Sequence, residues 1–126
     1  MKRKKILVTG GLGFIGSNLI EKLLKENFHV INIDKVSYSS NFYNTKDFAH
    51  NKFYKFVKCD INNYKKIQKL LNKYKPVAIF NLAAETHVDR SIDTPYNFIH
   101  SNILGTYNFL EPILAGKKEI KLVHIA

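Results

Sequence analysis

Three glycines at three-residue spacing, Gly10, Gly13 and Gly16, punctuate the run Thr9-Gly10-Gly11-Leu12-Gly13-Phe14-Ile15-Gly16. Before them lies an apolar β-type run, Lys5-Ile6-Leu7-Val8-Thr9; after them Ile15, Leu19, Ile20, Leu23 and Leu24 recur at helical spacing. Glycines between a strand and a helix permit a tight turn, close approach of backbone to a pyrophosphate, and close helix-strand contact. The first turn of the helix adds free N–H groups and a dipole that favours an anion. A glycine pattern alone also fits a turn that binds nothing, so the context has to decide. Here the next strand, His29-Val30-Ile31-Asn32-Ile33, ends at Asp34, an acid roughly 20 residues beyond the turn, as in a dinucleotide-binding unit.

The rest of the chain continues the alternation. A polar loop through Ser37, Ser39, Ser40, Asn41 and Asn44 leads to a short helix expected near 46–50. A third strand is expected at 53–58, a helix at 62–73, and a fourth strand at 77–82 opened by Pro76. Pro95 opens a long helix over 95–114, with Pro112 placed to end or kink it, and a fifth strand begins over 121–126. Strands alternating with helices imply right-handed crossovers and a parallel sheet covered on both faces. The fold class is therefore α/β, a doubly wound parallel sheet of Rossmann type with strand order 3-2-1-4-5 and a crevice at the carboxyl ends of strands 1 and 4. No residues remain for a sixth strand or a substrate domain, so residues 1–126 are expected to form only the N-terminal part of an NAD-binding domain in a longer protein.

A net charge of +10 would by itself point to an anionic partner such as nucleic acid. Of the 20 basic residues, however, only Arg3 and Arg90 are arginine, the side chain that recognises bases and phosphates bidentately. The densest lysines, Lys65, Lys66, Lys69, Lys73 and Lys75, flank Ile67, Leu70 and Leu71 at helical spacing and read as a solvated face. No nucleic acid is expected. Apolar stretches such as 77–84 fall far short of the roughly 20 residues that cross a bilayer. The glycines break the apolar segment a signal peptide would need after the basic start, and the single Cys59 suits a reducing compartment. A cytoplasmic protein without a membrane segment is expected.

Asp34 would accept from the adenosine ribose hydroxyls and repel a 2′-phosphate, which favours NAD over NADP. Asp60 would accept from the adenine amine while Ile61 covers a ring face; Asp60 equally fits the N-cap of the following helix, with Asn62 and Asn63 as rival caps. Ala83 and Ala84 are small enough to let backbone approach a cofactor. Glu85, His87, Asp89 and Arg90 would line the crevice or merely pair and cap locally. His29, His50, His100 and His124 have no spacing suited to metal ligation, and no metal site is expected. Tyr54 and Lys58 formally match a Tyr-x-x-x-Lys catalytic pair. On a strand, residues four apart are about 13 Å from each other, against about 6 Å on a helix, so the match is false.

The glycine turn, Asp34-Lys35, Tyr38-Ser39-Ser40-Asn41, Asp60-Ile61 and above all Ala83-Ala84-Glu85-Thr86-His87-Val88-Asp89-Arg90-Ser91 resemble the N-terminal part of the dTDP-glucose 4,6-dehydratases, within the extended short-chain dehydrogenase/reductase family. The likeness continues through Ser101-Asn102-Ile103-Leu104-Gly105-Thr106 and Leu122-Val123-His124-Ile125. Ser39-Ser40 replaces the family's Ala-Gly, and Ala126 stands where the family has Ser or Thr. The resemblance implies a cytoplasmic, NAD-dependent lyase that oxidises hexose C4, loses water across C5 and C6, and returns the hydride to C6. It implies Gly10, Gly13, Phe14, Ile15 and Gly16 at the pyrophosphate; Asp34, Lys35, Val36 and Ser37 around the ribose; and Asp60 and Ile61 at the adenine. It places Leu82, Ala83 and Ala84 along the cofactor, Ser101 near the nicotinamide, and Thr86 at the hexose of dTDP-glucose. The Tyr-Lys pair and acid-base residues of the family fall beyond Ala126, so no catalytic residue is expected in the chain and its activity alone is expected to be nil. A homodimer through the 95–114 helix is expected of the longer protein. A 4-epimerase of the same family and a non-enzymatic NAD-binding module are the alternatives.

Overall fold

The computed structural model describes residues 2–36, 41–82 and 120–124. Among them, β1 (Lys5–Thr9), β2 (His29–Asp34), β3 (Tyr54–Lys58), β4 (Ala78–Asn81) and β5 (Lys121–His124) form a parallel sheet in the order β3-β2-β1-β4-β5, as expected. β1 is central: Leu7 is in register with Ile31 on one side and Ile79 on the other. A strand covered on both faces needs a continuous apolar run, which β1 and most of β2 supply.

Alternation along the strands sorts side chains into two clusters, one with each helix. Ile6, Val8 and Val30 pack with Ile20, Leu23 and Leu24 of α1 (Phe14–Lys25) and with Phe48. Leu7, Ile31, Ile33 and Ile79 pack with Ile67, Leu70 and Leu71 of α2 (Tyr64–Tyr74). Burying each such side chain contributes about 1.5–3 kcal/mol. α1 ends because Asn27 turns left-handed at φ 68° and the Phe28 N–H returns to the Leu23 carbonyl at 3.1 Å. α2 ends at left-handed Lys75, just before Pro76, and its lysines lie on the exposed face.

Several expectations need correction. The short helix near 46–50 is instead a 3-10 turn at Phe42–Thr45, because the Asn41 side chain accepts the Tyr43 N–H at 2.9 Å and starts the turn earlier. Ile15 belongs to the apolar spacing but not to the buried face: it is 65% exposed, while Gly16, Ser17 and Ile20 face inward. The cap of α2 is Asn63, whose side-chain oxygen accepts the Lys66 N–H at 3.2 Å, and not Asp60. The long 95–114 helix and positions 125–126 lie outside the described residues.

Candidate functional site

The glycine turn leaves the carboxyl end of β1 and is held along the end of β2 by consecutive amides. The N–H of Gly10 donates to the Ile33 carbonyl at 2.9 Å, that of Gly11 to Asn32 Oδ1 at 3.0 Å, and that of Leu12 to Asp34 Oδ2 at 3.2 Å. Gly10 takes φ 74°, a conformation that favours glycine. A methyl at Gly16 would overlap the Gly10 carbonyl oxygen and stand 2.8 Å from Gly11 Cα, so this glycine lets α1 press against the turn. Gly13 differs: the nearest atom to a methyl there is the Gly10 oxygen at 3.4 Å, an ordinary contact. Nothing among the described residues fills that flank.

Gly13 is also the N-cap of α1, offers no side-chain acceptor, and is followed by a first turn without acidic residues. The opening amides of a helix have no intrahelical acceptor, so those of Phe14, Ile15 and Gly16 are donors of the kind that suits an anion. The Phe14 and Ile15 side chains beside them are 77% and 65% exposed.

Asp34 is 5% exposed at the end of β2. Its Oδ2 accepts from Leu12, and its Oδ1 accepts the Val36 N–H at 2.8 Å, so one carboxylate couples the turn to the chain leaving β2. A carboxylate has roughly four acceptor sites, so one side chain can serve several donors at once. Val36 is left-handed at φ 63°, strain of about 1–3 kcal/mol for a β-branched residue, and Lys35 beside it is half-buried.

β4 arrives at the same end. The Thr9 hydroxyl donates to Asn81 Oδ1 at 2.6 Å, and the Leu82 N–H donates to Thr9 Oγ1 at 3.1 Å, which sets Leu82 beside the start of the turn. β3 joins through the Cys59 N–H on the Asp34 carbonyl at 3.0 Å and leads to Asp60, exposed, with Oδ1 accepting from the Asn62 backbone at 2.9 Å. Ile61 is a core residue at 4% exposed, and its side chain packs in the α2 cluster instead of standing open to cover a ring face. Gly10, Gly13, Phe14, Ile15, Gly16, Asp34, Lys35, Val36, Asp60, Ile61 and Leu82 thus gather at the carboxyl ends of β1 to β4. Ser37, Ala83, Ala84, Thr86 and Ser101, with Glu85, His87, Asp89 and Arg90, lie outside the described residues.

Sequence reasoning missed Asn32. It is fully buried on the α1 side of β2, takes the Gly11 amide on Oδ1, and donates from Nδ2 to the Tyr54 hydroxyl at 3.0 Å. Its signal was an amide interrupting an otherwise apolar strand. The Tyr54 partnership also disposes of the Tyr-x-x-x-Lys match. Burial pushes the Tyr54 phenol up, with Asp34 adding to the rise and hydrogen bonds with Asn32 and Thr45 opposing it. A tyrosinate base requires the opposite shift. Among the described residues, no three His, Cys, Asp or Glu side chains are grouped to hold a metal, and no helix is long and apolar enough to cross a membrane.

The sequence model of a family described as GDP-mannose 4,6 dehydratase matches residues 7–126. The dTDP-glucose 4,6-dehydratase of Salmonella typhimurium is 44% identical over 108 residues, 85% of this chain and 30% of that protein. Among solved structures, dTDP-glucose 4,6-dehydratase from Bacillus anthracis in complex with NAD matches with a TM-score of 0.85 at 34% identity, covering 98% of this chain and 37% of that one. UDP-glucose 4-epimerase from Thermotoga maritima with UDP-glucose matches with a TM-score of 0.83 at 30% identity, covering 95% of this chain and 37% of that one. The chain spans about 30% of the length of the curated relatives it matches.

Proposed function

The chain belongs to the GDP-mannose 4,6 dehydratase family, and on that premise we propose that it is the NAD-binding, N-terminal part of a nucleotide-sugar 4,6-dehydratase acting on dTDP-glucose. One structural observation carries the cofactor reading: α1 opens on an uncapped glycine whose flank no described residue fills, and the turn before it is bonded to a buried acid at the end of β2. NAD fits that donor set, with the diphosphate on the amides of Phe14, Ile15 and Gly16, the adenosine ribose on Asp34 with Lys35, Val36 and Ser37 around it, and the adenine beside Asp60 and Ile61. Leu82, Ala83 and Ala84 lie along the cofactor, Ser101 near the nicotinamide and Thr86 at the hexose. The Asp34 carboxylate stands where a 2′-phosphate would fall, which selects NAD over NADP.

When bound, the dinucleotide supplies the hydride acceptance at C4 and hydride return at C6 that a 4,6-dehydration requires. The residues of this chain bind and orient it. The groups that move protons belong to the rest of a longer protein, which we infer to be a cytoplasmic homodimer. Identity is 34% to the solved dehydratase and 30% to the solved epimerase, and the curated relative at 44% identity is named a dehydratase, which favours dehydration over epimerisation. The test is to incubate the full-length protein with NAD and dTDP-glucose and assay the 4-keto-6-deoxy sugar. Formation of that ketone is expected; a 4-epimer without ketone, or no NAD binding at all, would overturn the reading.

A further inference from the structure

We propose that Asn44 is a positioning residue for the phosphate-binding turn, holding the Leu12 carbonyl so that the amides opening α1 face the diphosphate. This role rests on the NAD reading above.

Leu12 lies between Gly11 and Gly13, where the backbone has little stiffness of its own. Its N–H is taken by Asp34 at 3.2 Å. Its carbonyl accepts twice from the segment after β2, from the Asn41 N–H at 3.1 Å and from Asn44 Nδ2 at 3.1 Å. Both peptide planes flanking Leu12 are therefore fixed from outside the turn. The second plane also carries the Gly13 N–H, which donates to the Gly10 carbonyl at 3.1 Å, and it is the last peptide before the N-cap of α1. Whatever orients the Leu12 carbonyl orients the entry into α1.

The segment that supplies these donors is itself anchored to β3. Phe42 meets Phe56 edge to face with centroids 5.3 Å apart. Thr45 is 3% exposed, donates to the Phe42 carbonyl at 2.9 Å and shares a hydrogen bond with Tyr54, the same phenol that receives Asn32. Two chains of contacts thus run from Phe42–Thr45 to the turn, through Tyr54 and Asn32 to Gly11, and through Asn44 to Leu12. Asn44 is the member whose donor can be removed while the Leu12 carbonyl keeps a partner in Asn41, so its loss loosens the turn without leaving a carbonyl unpaired.

The experiment compares the full-length wild type with Asn44→Ala and Asn44→Asp, measuring dissociation constants for NAD, ADP and adenosine together with thermal unfolding. Asn44→Asp keeps the shape, removes the donor and sets a second acceptor against the Leu12 oxygen. For Asn44→Ala, NAD and ADP are expected to bind about five-fold more weakly, the scale of one lost hydrogen bond. Asn44→Asp is expected to weaken them further, and adenosine, which has no diphosphate, to bind as in wild type. Unchanged NAD and ADP binding in both variants, or parallel weakening of ADP and adenosine, overturns the role. If both variants unfold, Asn44→Ser, with a shorter donor, is read by the same ADP-to-adenosine ratio, and an unchanged ratio there overturns it too. A wild type that binds no NAD refutes instead the function on which the role rests.

Discussion

Gly16 and Gly13 belong to one spaced pattern but should fail in different ways when replaced. A methyl at Gly16 would overlap the Gly10 carbonyl oxygen and lie 2.8 Å from Gly11 Cα and 3.0 Å from the Gly10 carbonyl carbon. These are main-chain atoms of a turn bonded to β2, so no side chain can swing aside. Carbon contacts relax to about 3.5–4.0 Å, which requires α1 and the turn to separate by about 1 Å. Overpacking of this kind costs about 1–3 kcal/mol, and the upper part, about 2–3, applies where only main chain can yield; about 0.8–1 kcal/mol is returned by the better helix propensity of alanine. Gly16→Ala should therefore lose about 1–2 kcal/mol of stability net, and some NAD affinity with it. Gly13→Ala places its methyl 3.4 Å from a single oxygen at φ −76°, which any residue adopts. Ala is a poorer N-cap than Gly, so stability should fall, but by less than about 1 kcal/mol, while the filled flank weakens NAD binding about tenfold or more. Urea unfolding followed by circular dichroism, with NAD titration of the same samples, separates the two. A Gly16→Ala protein as stable as wild type, or a Gly13→Ala protein that loses stability but keeps its NAD affinity, would refute the division.

Three further outcomes follow from single side chains. Tyr54→Phe removes the hydroxyl that receives Asn32, so stability should fall by about 1 kcal/mol, while kcat of the full-length enzyme should escape the hundred-fold or larger loss that accompanies removal of a general base. A loss of that size would make Tyr54 catalytic. Cys59 is 4% exposed and burial pushes its thiol up, so iodoacetamide at about pH 8 should label it slowly in the folded protein and rapidly in urea; fast native labelling would contradict the burial. Burial first, and then Lys5 and Arg3, lower the pKa of His29 from its ordinary 6.5. The unfolded chain then binds more protons than the folded one between the lowered value and 6.5, so stability should decline as pH falls through that window. His29→Phe, which keeps a ring against Phe53, should flatten the decline between unfolding midpoints at about pH 8 and about pH 5.5. An identical decline in both proteins would count against the assignment.

The strands, α1 and α2 were legible because each rests on a periodicity carried by the chain itself, and the sheet order followed from their alternation through right-handed crossovers. β1 and β2 are apolar runs ended by Thr9 and Asp34, and α2 repeats Ile67, Leu70 and Leu71 at helical spacing against a lysine face. What could not be read is what depends on partners far along the chain. Asn32 looks like a flaw in an apolar strand until β2 pairs with β1 and brings it under Gly11. Gly11 in turn looks like the spare glycine of the turn, yet a methyl there would overlap Asn32 Oδ1 and come within 2.5 Å of Ile20 Cδ1. Ile15 shows the reverse error: periodicity assigns it to the core, but in the first turn of α1 it is 65% exposed while Gly16 and Ser17 face inward. The glycine signature is thus four requirements with different causes. Gly10 answers a backbone angle, Gly11 a buried amide, Gly16 the approach of α1, and Gly13 alone has a flank that no described protein atom explains. The case for a ligand at this turn therefore rests on Gly13 and the uncapped helix it opens more than on the count of glycines.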